Sequence, residues 1–182
     1  MSVGGAPQNR LHTLNPDTSA ILTTVVVTVD RPSTPFPCLT SLGFDVTGAL
    51  LATVSFDNPN NPSDLVRLDP ATGLLTRLGP TGFRALLGLV FDPTCRTLYA
   101  ITGFQLPPVL VSLDPATGKG TAIAQTNLPT QASSLTVLAD GRLVVGGDDG
   151  NLYDLDLVTG ASTLLGPTGV EVVGGMSLRV LR

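Results

Sequence analysis

The side chains able to do acid–base or nucleophilic work are few and widely spaced. His12 is the single histidine, Glu171 the single glutamate, and Cys38 and Cys95 the two cysteines. A Ser-His-Asp relay needs a histidine aimed at a pocket beside an activated serine, and no Gly-x-Ser-x-Gly elbow occurs here. The cysteines have no metal-site spacing. Asp57, Asp64, Asp148 and Asp149, with neighbouring Asn side chains, are oxygen donors of the kind calcium takes. Their spacing matches no calcium loop, so no cofactor is expected. Asp45, Asp69, Asp92, Asp114 and Asp140 fall at repeated positions, and their chemistry is that of turns.

Leu68-Asp69-Pro70-Ala71-Thr72-Gly73 recurs as Leu113-Asp114-Pro115-Ala116-Thr117-Gly118. A weaker copy is Leu155-Asp156-Leu157-Val158-Thr159-Gly160, and a worn one is Leu14-Asn15-Pro16-Asp17-Thr18-Ser19. The leading leucines stand at 14, 68, 113 and 155, so the steps are 54, 45 and 42 residues. In the two full copies the Asp accepts backbone N–H bonds, Pro presets φ, and the closing Gly takes the left-handed conformation. Each copy therefore joins two antiparallel strands. Asp69 and Asp114 are read as turn-makers rather than catalytic groups.

Four strands, a to d, unfold around each anchor. They are predicted at 41–45, 49–56, 65–68 and 74–78, then 87–91, 96–102, 109–113 and 120–124, then 134–138, 142–146, 152–155 and 162–165. Gly79-Pro80-Thr81-Gly82 and Gly166-Pro167-Thr168-Gly169 follow strand d and cross to the next unit. One face of strand c reads Val66/Leu68, Val111/Leu113 and Tyr153/Leu155, and the other Leu65/Arg67, Leu110/Ser112 and Leu152/Asp154. Two usable faces suit a sheet stacked between two others. Several short strands per 40–50-residue period indicate an all-β propeller of about four four-stranded antiparallel blades.

On Leu-x-x-Leu-Asp-Pro-Ala-Thr-Gly at 65–73 and 110–118, with Gly-Pro-Thr-Gly after strand d, the chain resembles bacterial β-propeller repeats of the NHL-like, YVTN-like and streptogramin-lyase-like kinds. The resemblance covers nearly the whole chain and implies architecture rather than activity. The Trp-Asp pair of WD40 blades is absent.

The ends complete one blade. Gly174–Val180 aligns with Leu87–Asp92 as a strand a, and Met1–Gly5 resembles the strand b at 143–147. Arg10–Leu14 and Ala20–Val27 then supply strands c and d. The expected single domain, 1–182, has one blade split between 1–29 and 174–182, with the others at 39–79, 85–125 and 133–166. Two closures satisfy the open strands. One is a monomeric four-bladed ring, the favoured form; the other is an eight-bladed ring of two chains. Cys38 and Cys95 fall at opposite ends of their strands, which predicts two free, buried or half-buried thiols and no disulfide between them. His12 falls at the Val66 position and is expected to pack between blades.

Regular a–b and c–d turns share one face of such a ring, and irregular b–c and d–a connections share the other. Binding usually resides in irregular loops on a rigid frame. The expected partner-binding residues are Asp57, Asn58, Asn60, Asn61 and Asp64 in one b–c loop, Phe104 and Gln105 in the next, and Asp148 and Asp149 in the third. A net charge of −4 with no basic run argues against nucleic acid, and no apolar stretch is long enough for a membrane span. Residues 1–15 do not read as a signal peptide, and the compartment is left open. Trp is absent, which argues against a sugar-stacking lectin. The functional expectation is a non-enzymatic binding or assembly scaffold for a protein or peptide. The alternative is a small lyase- or lactonase-type propeller enzyme, with or without a metal.

Overall fold

A computed structural model describes residues 9–29, 38–45, 47–55, 61–92 and 96–176, and among them every regular element is a strand. None of the described residues forms a helix long and apolar enough to cross a membrane. An N-terminal hairpin pairs β1 (Arg10–Leu14) with β2 (Ile21–Val26). The next sheet holds β4 (Cys38–Phe44), β5 (Leu50–Ser55), β6 (Asp64–Leu68) and β7 (Leu74–Pro80). Then come β8 (Leu86–Phe91), β9 (Leu98–Thr102), β10 (Val109–Leu113) and β11 (Gly120–Gln125). The last sheet is β12 (Ala132–Val137), β13 (Leu143–Gly147), β14 (Asn151–Leu155) and β15 (Ser162–Pro167). Each is an antiparallel meander whose first strand lies innermost. These inner strands, β4, β8 and β12, run side by side about a common axis. The architecture is a β-propeller.

Two details depart from the predicted strands. The d strand of the N-terminal hairpin ends at Val26, and β3 (Thr28–Val29) adds a fifth, parallel strand to the outer edge of the next sheet against β7. Val27 between them is 3% exposed and fills the space between the two sheets, so the β-branched run crosses from one sheet to the next. The d strands also run longer than predicted. Gly79 pairs with Leu65 and Pro80 with Asp64, which is permissible because β3 pairs only with Leu74 and Leu75 and leaves the Pro80 end of β7 at the sheet edge.

The turn motif closes as its residues dictate. Asp69 Oδ1 accepts the Ala71 N–H at 2.8 Å and Oδ2 the Thr72 hydroxyl at 2.8 Å. Asp114 does the same with Ala116 and Thr117, at 2.9 and 2.6 Å. Gly73, Gly118 and Gly160 take φ of 75°, 78° and 72°. They also sit where the outer strand of the preceding sheet passes. A Cβ on Gly118 would lie 2.5 Å from the Gly79 carbonyl oxygen, and one on Gly160 2.5 Å from that of Gln125. The same glycine thus closes its own hairpin and admits the neighbouring blade.

Three cores lie between consecutive sheets. Leu50, Val66, Leu68 and Leu75 meet Val27 and Leu11 of the N-terminal segment. Val111 and Leu113 meet Leu51 and Leu65. Tyr153 and Leu155 meet Ile101 and Leu110. The alternation predicted for strand c is therefore the one that divides its residues between neighbours. Each fully buried aliphatic contributes about 1.5–3 kcal/mol.

Met1–Gly5 and most of the predicted C-terminal strand lie outside the described residues. Gly174–Met176 are described and are not in a strand. Among the described residues the N-terminal hairpin and the last sheet share no hydrogen-bonded ladder.

Candidate functional site

The b–c connections hold most of the predicted binding residues, and the structure gives them different settings. Asp57, Asn58 and Asn60 lie outside the described residues, whereas Asn61 is exposed. Asp64 is 7% exposed at the start of β6, where its carboxylate takes Arg77 Nε at 2.6 Å and Nη2 at 2.8 Å. That bidentate pair ties strand c to strand d, and the side chain points into the blade. Asp148 accepts the Thr130 hydroxyl. Asp149 accepts Asn151 Nδ2 at 2.9 Å and the Tyr153 hydroxyl at 2.7 Å. Burial pushes the Asp149 carboxyl up, but the bonds from Asn151 and Tyr153 outweigh it and hold the group below its ordinary range. The same hydrogen bond, with burial behind it, raises the Tyr153 phenol.

Loop 103–108 is different. Its base is fastened at three points. Gly103 N–H donates to the Ala85 carbonyl at 2.7 Å. Thr102 Oγ1 accepts both Gln105 Nε2 at 2.9 Å and the Val109 N–H at 2.8 Å. On this fixed base Phe104 holds φ of 52° and is 74% exposed, and Leu106 is 60% exposed. A bulky residue in the left-handed region costs about 1–2 kcal/mol, and an exposed ring recovers little of that by packing. Gln105, by contrast, is spent on holding the loop.

Three threonines that sequence reasoning passed over brace the face bearing these loops. Thr81 Oγ1 donates to the Ser63 carbonyl at 2.7 Å, Thr126 Oγ1 to Pro108 at 3.0 Å and Thr168 Oγ1 to Gly150 at 2.7 Å. Each ties the crossing after strand d to the end of the b–c loop of its own blade. For Thr81 and Thr168 the signal was the Thr of Gly-Pro-Thr-Gly, here seen as a hydroxyl bond rather than a turn preference, whereas Thr126 stands in Ala-Gln-Thr-Asn and had no such signal.

The opposite face holds an opening that the sequence did not announce. About 690 Å³ of space on the axis is bounded by Leu42, Phe44, Leu89, Phe91, Leu135, Val137 and Met176, and by Leu11–Leu14 of β1. Pro70, from a c–d turn, also lines it, which puts the mouth on the regular-turn side. The recurrent Phe44-Asp45 and Phe91-Asp92, at the ends of two inner strands, were the available signal. Among the described residues no three His, Cys, Asp or Glu side chains converge as a metal would need. His12 borders this opening, exposed, with Nδ1 2.9 Å from Thr24 Oγ1, instead of packing between blades. The reason is that its face of the hairpin has no neighbouring sheet among the described residues. Cys38 opens β4 as predicted and is free, but as the first residue of that strand it is exposed rather than buried; Cys95 lies outside the described residues.

The chain resembles solved propellers. It superposes on a luciferin-regenerating enzyme with a TM-score of 0.63 at 12% identity, over 88% of this chain and 56% of that one. A nidogen/laminin complex gives 0.61 at 18% identity, over 86% and 57%. A gluconolactonase from Xanthomonas campestris gives 0.59 at 17% identity, over 81% and 52%. These likenesses support the β-propeller fold. The chain spans little more than half the length of each of these three. No family model matches the sequence, and no curated protein matches it. Enzymes and binding proteins both occur among the similar structures, so the likeness favours neither activity.

Proposed function

We propose that this chain is a non-enzymatic propeller scaffold that binds a protein or peptide on its b–c face, with loop 103–108 as the principal contact. Phe104 carries the reading. A Phe held 74% exposed on a left-handed backbone, in a loop fastened by Thr102 and Gly103, gains nothing evident for the folded chain. Strained and exposed aromatic residues on rigid bases are what binding surfaces use as anchors. Leu106 extends the apolar contact, while Asn61 and the carboxylates of Asp148 and Asp149 supply a polar surround. The partner offers an apolar pocket for the ring.

Affinity capture from the native host tests this, with Phe104→Ser and Leu106→Ser beside the unaltered chain. The expected result is a partner retained by the unaltered chain and lost from Phe104→Ser, with circular dichroism unchanged. An identical set of captured proteins from all three overturns the assignment.

A further inference from the structure

The last two sheets carry the same groove beside the same turn, and they fill it differently. Leu98 pairs with Leu113 and Leu143 with Leu155, which fixes the equivalence of the two sheets residue by residue. In the sheet of β12–β15 the chain's own ion pairs occupy the groove. Arg142 Nε donates to Asp140 at 2.8 Å, and Nη1 reaches across to Asp154 at 2.9 Å. In the sheet of β8–β11 Thr97 stands at the place of Arg142, and Ser112 at the place of Asp154. The carboxylate on strand c is thus replaced by a hydroxyl. Cations border the groove instead, Arg96 at the place of Gly141 and Lys119 at the place of Ala161.

About 400 Å³ of open space lies among Arg96, Lys119, Thr97, Ser112 and Thr121. Both cations are exposed, and among the described residues neither has an ion-pair partner. The two carboxylates nearby are occupied with turns. Asp114 accepts the Ala116 N–H at 2.9 Å and the Thr117 hydroxyl at 2.6 Å, and Asp92 accepts the backbone N–H groups of Arg96 and Thr97 at 2.8 and 3.3 Å. Ser112 Oγ donates a long bond of 3.4 Å to the Thr121 carbonyl, which a better acceptor would displace. A guanidinium offers a planar fork of donors, an ammonium a point charge and each hydroxyl one proton. A tetrahedral oxyanion presents oxygens to both cations and to the hydroxyls at once. A net charge of −4 repels a polyanion, so a small ligand suits the groove better than a nucleic acid.

We propose that this groove binds a phosphate group, as the free ion or as a small monoester. The phosphate lies between Arg96 and Lys119 and takes the place that the Asp154 carboxylate holds in the next sheet. Asp114 and Pro115 of the c–d turn line the groove, so it opens on the regular-turn side, away from Phe104. The site is independent of the partner contact on the other face.

Amide chemical shifts of the full chain, followed as inorganic phosphate or glycerol phosphate is added at constant ionic strength against chloride, test this. Saturable shifts at Thr97, Ser112, Lys119 and Thr121 are expected with phosphate and not with chloride. Tighter binding of the ester or of the free ion supports the site and identifies which of the two it takes. Arg96→Ala and Lys119→Ala, at exposed positions, are each expected to weaken binding about tenfold, the loss of one charge-assisted hydrogen bond. Ser112→Asp, which restores the carboxylate of the other sheet, is expected to abolish binding while shifts elsewhere stay unchanged. Shifts that do not saturate, or that chloride reproduces, overturn the proposal. An undiminished phosphate affinity in Ser112→Asp, or in both alanine variants, overturns it as well.

Discussion

Ser19 occupies the position that glycine holds in the other three turns of the repeat, and it takes the same left-handed backbone, with φ of 57°. The turn still closes. Asn15 Oδ1 accepts the Asp17 and Thr18 N–H groups at 2.9 and 3.0 Å. Serine pays for this with a Cβ where none is wanted. Ser19→Gly is expected to stabilise the chain by about 0.5–1 kcal/mol, read as a higher denaturant midpoint with an unchanged slope. Phe104 presents the same backbone problem for another reason, so the two sites should diverge. Phe104→Gly is expected to leave stability unchanged or raise it by up to about 1 kcal/mol. It should nevertheless abolish capture of the partner. The turn carboxylates make a prediction in pH. The Thr72 and Thr117 hydroxyls, then backbone N–H groups, hold Asp69 and Asp114 below the ordinary carboxylate range; for Asp156 the backbone of Thr159 contributes most. A depressed folded value means that the stabilisation is complete above an unfolded value of about 3.9 and disappears as pH falls through the lowered folded value. Urea midpoints should therefore be flat from neutral pH down to about 4 and fall below it. Asp69→Asn should show a shallower fall.

At the scale of the element, the closing glycines have a second constraint that no turn preference reveals. Gly118→Ala would strain the backbone and press a methyl group onto the Gly79 carbonyl of the adjacent sheet. It is expected to cost more than about 1–2 kcal/mol, the price of a left-handed alanine alone. Gly48 has φ of 81° but nothing near its missing Cβ, so Gly48→Ala should show the backbone cost only. Comparing the two by denaturation separates conformation from close approach. This marks what the sequence could convey. Asp-Pro-Ala-Thr-Gly located the hairpins because turn chemistry is local, and the alternation in strand c sorted Val66/Leu68 from Leu65 because a strand has period two. β3 was not legible. Nothing in the run from Thr23 to Val29 marks Val27 as the point where the chain leaves one sheet for the next. The site was legible in part for the same reason. Phe104 was found because it sits in an irregular loop, while the engagement of Asp64 with Arg77 depends on a cross-strand register that spacing alone does not fix. The axial opening depends on the convergence of three inner strands, which is a tertiary property.

For the whole molecule, the buried apolar surface of the described residues lies between consecutive sheets. Leu65 is fully buried in the core that also holds Val111 and Leu113, whereas Leu14 is 51% exposed. Leu65→Ala is therefore expected to cost about 2–5 kcal/mol, read as a lower urea midpoint with an unchanged slope. Leu14→Ala should change stability by no more than about 0.5 kcal/mol.

The β3 strap carries a consequence for how protection from solvent is distributed. Thr28 and Val29 lie against the outer edge of the second sheet, where the Thr28 N–H donates to the Gly73 carbonyl at 2.9 Å, and Val27 is buried beside them. The hairpin just before them, β1 and β2, is exposed along nearly all of its length. Local opening is cheapest where little apolar surface is lost. Native-state amide exchange should therefore be fast in the ladder between Arg10–Leu14 and Ile21–Val26, and markedly slower a few residues later at Thr28. The N-terminal hairpin could then peel away and return while the strap remains fastened, so that its opening does not become the first step of global unfolding.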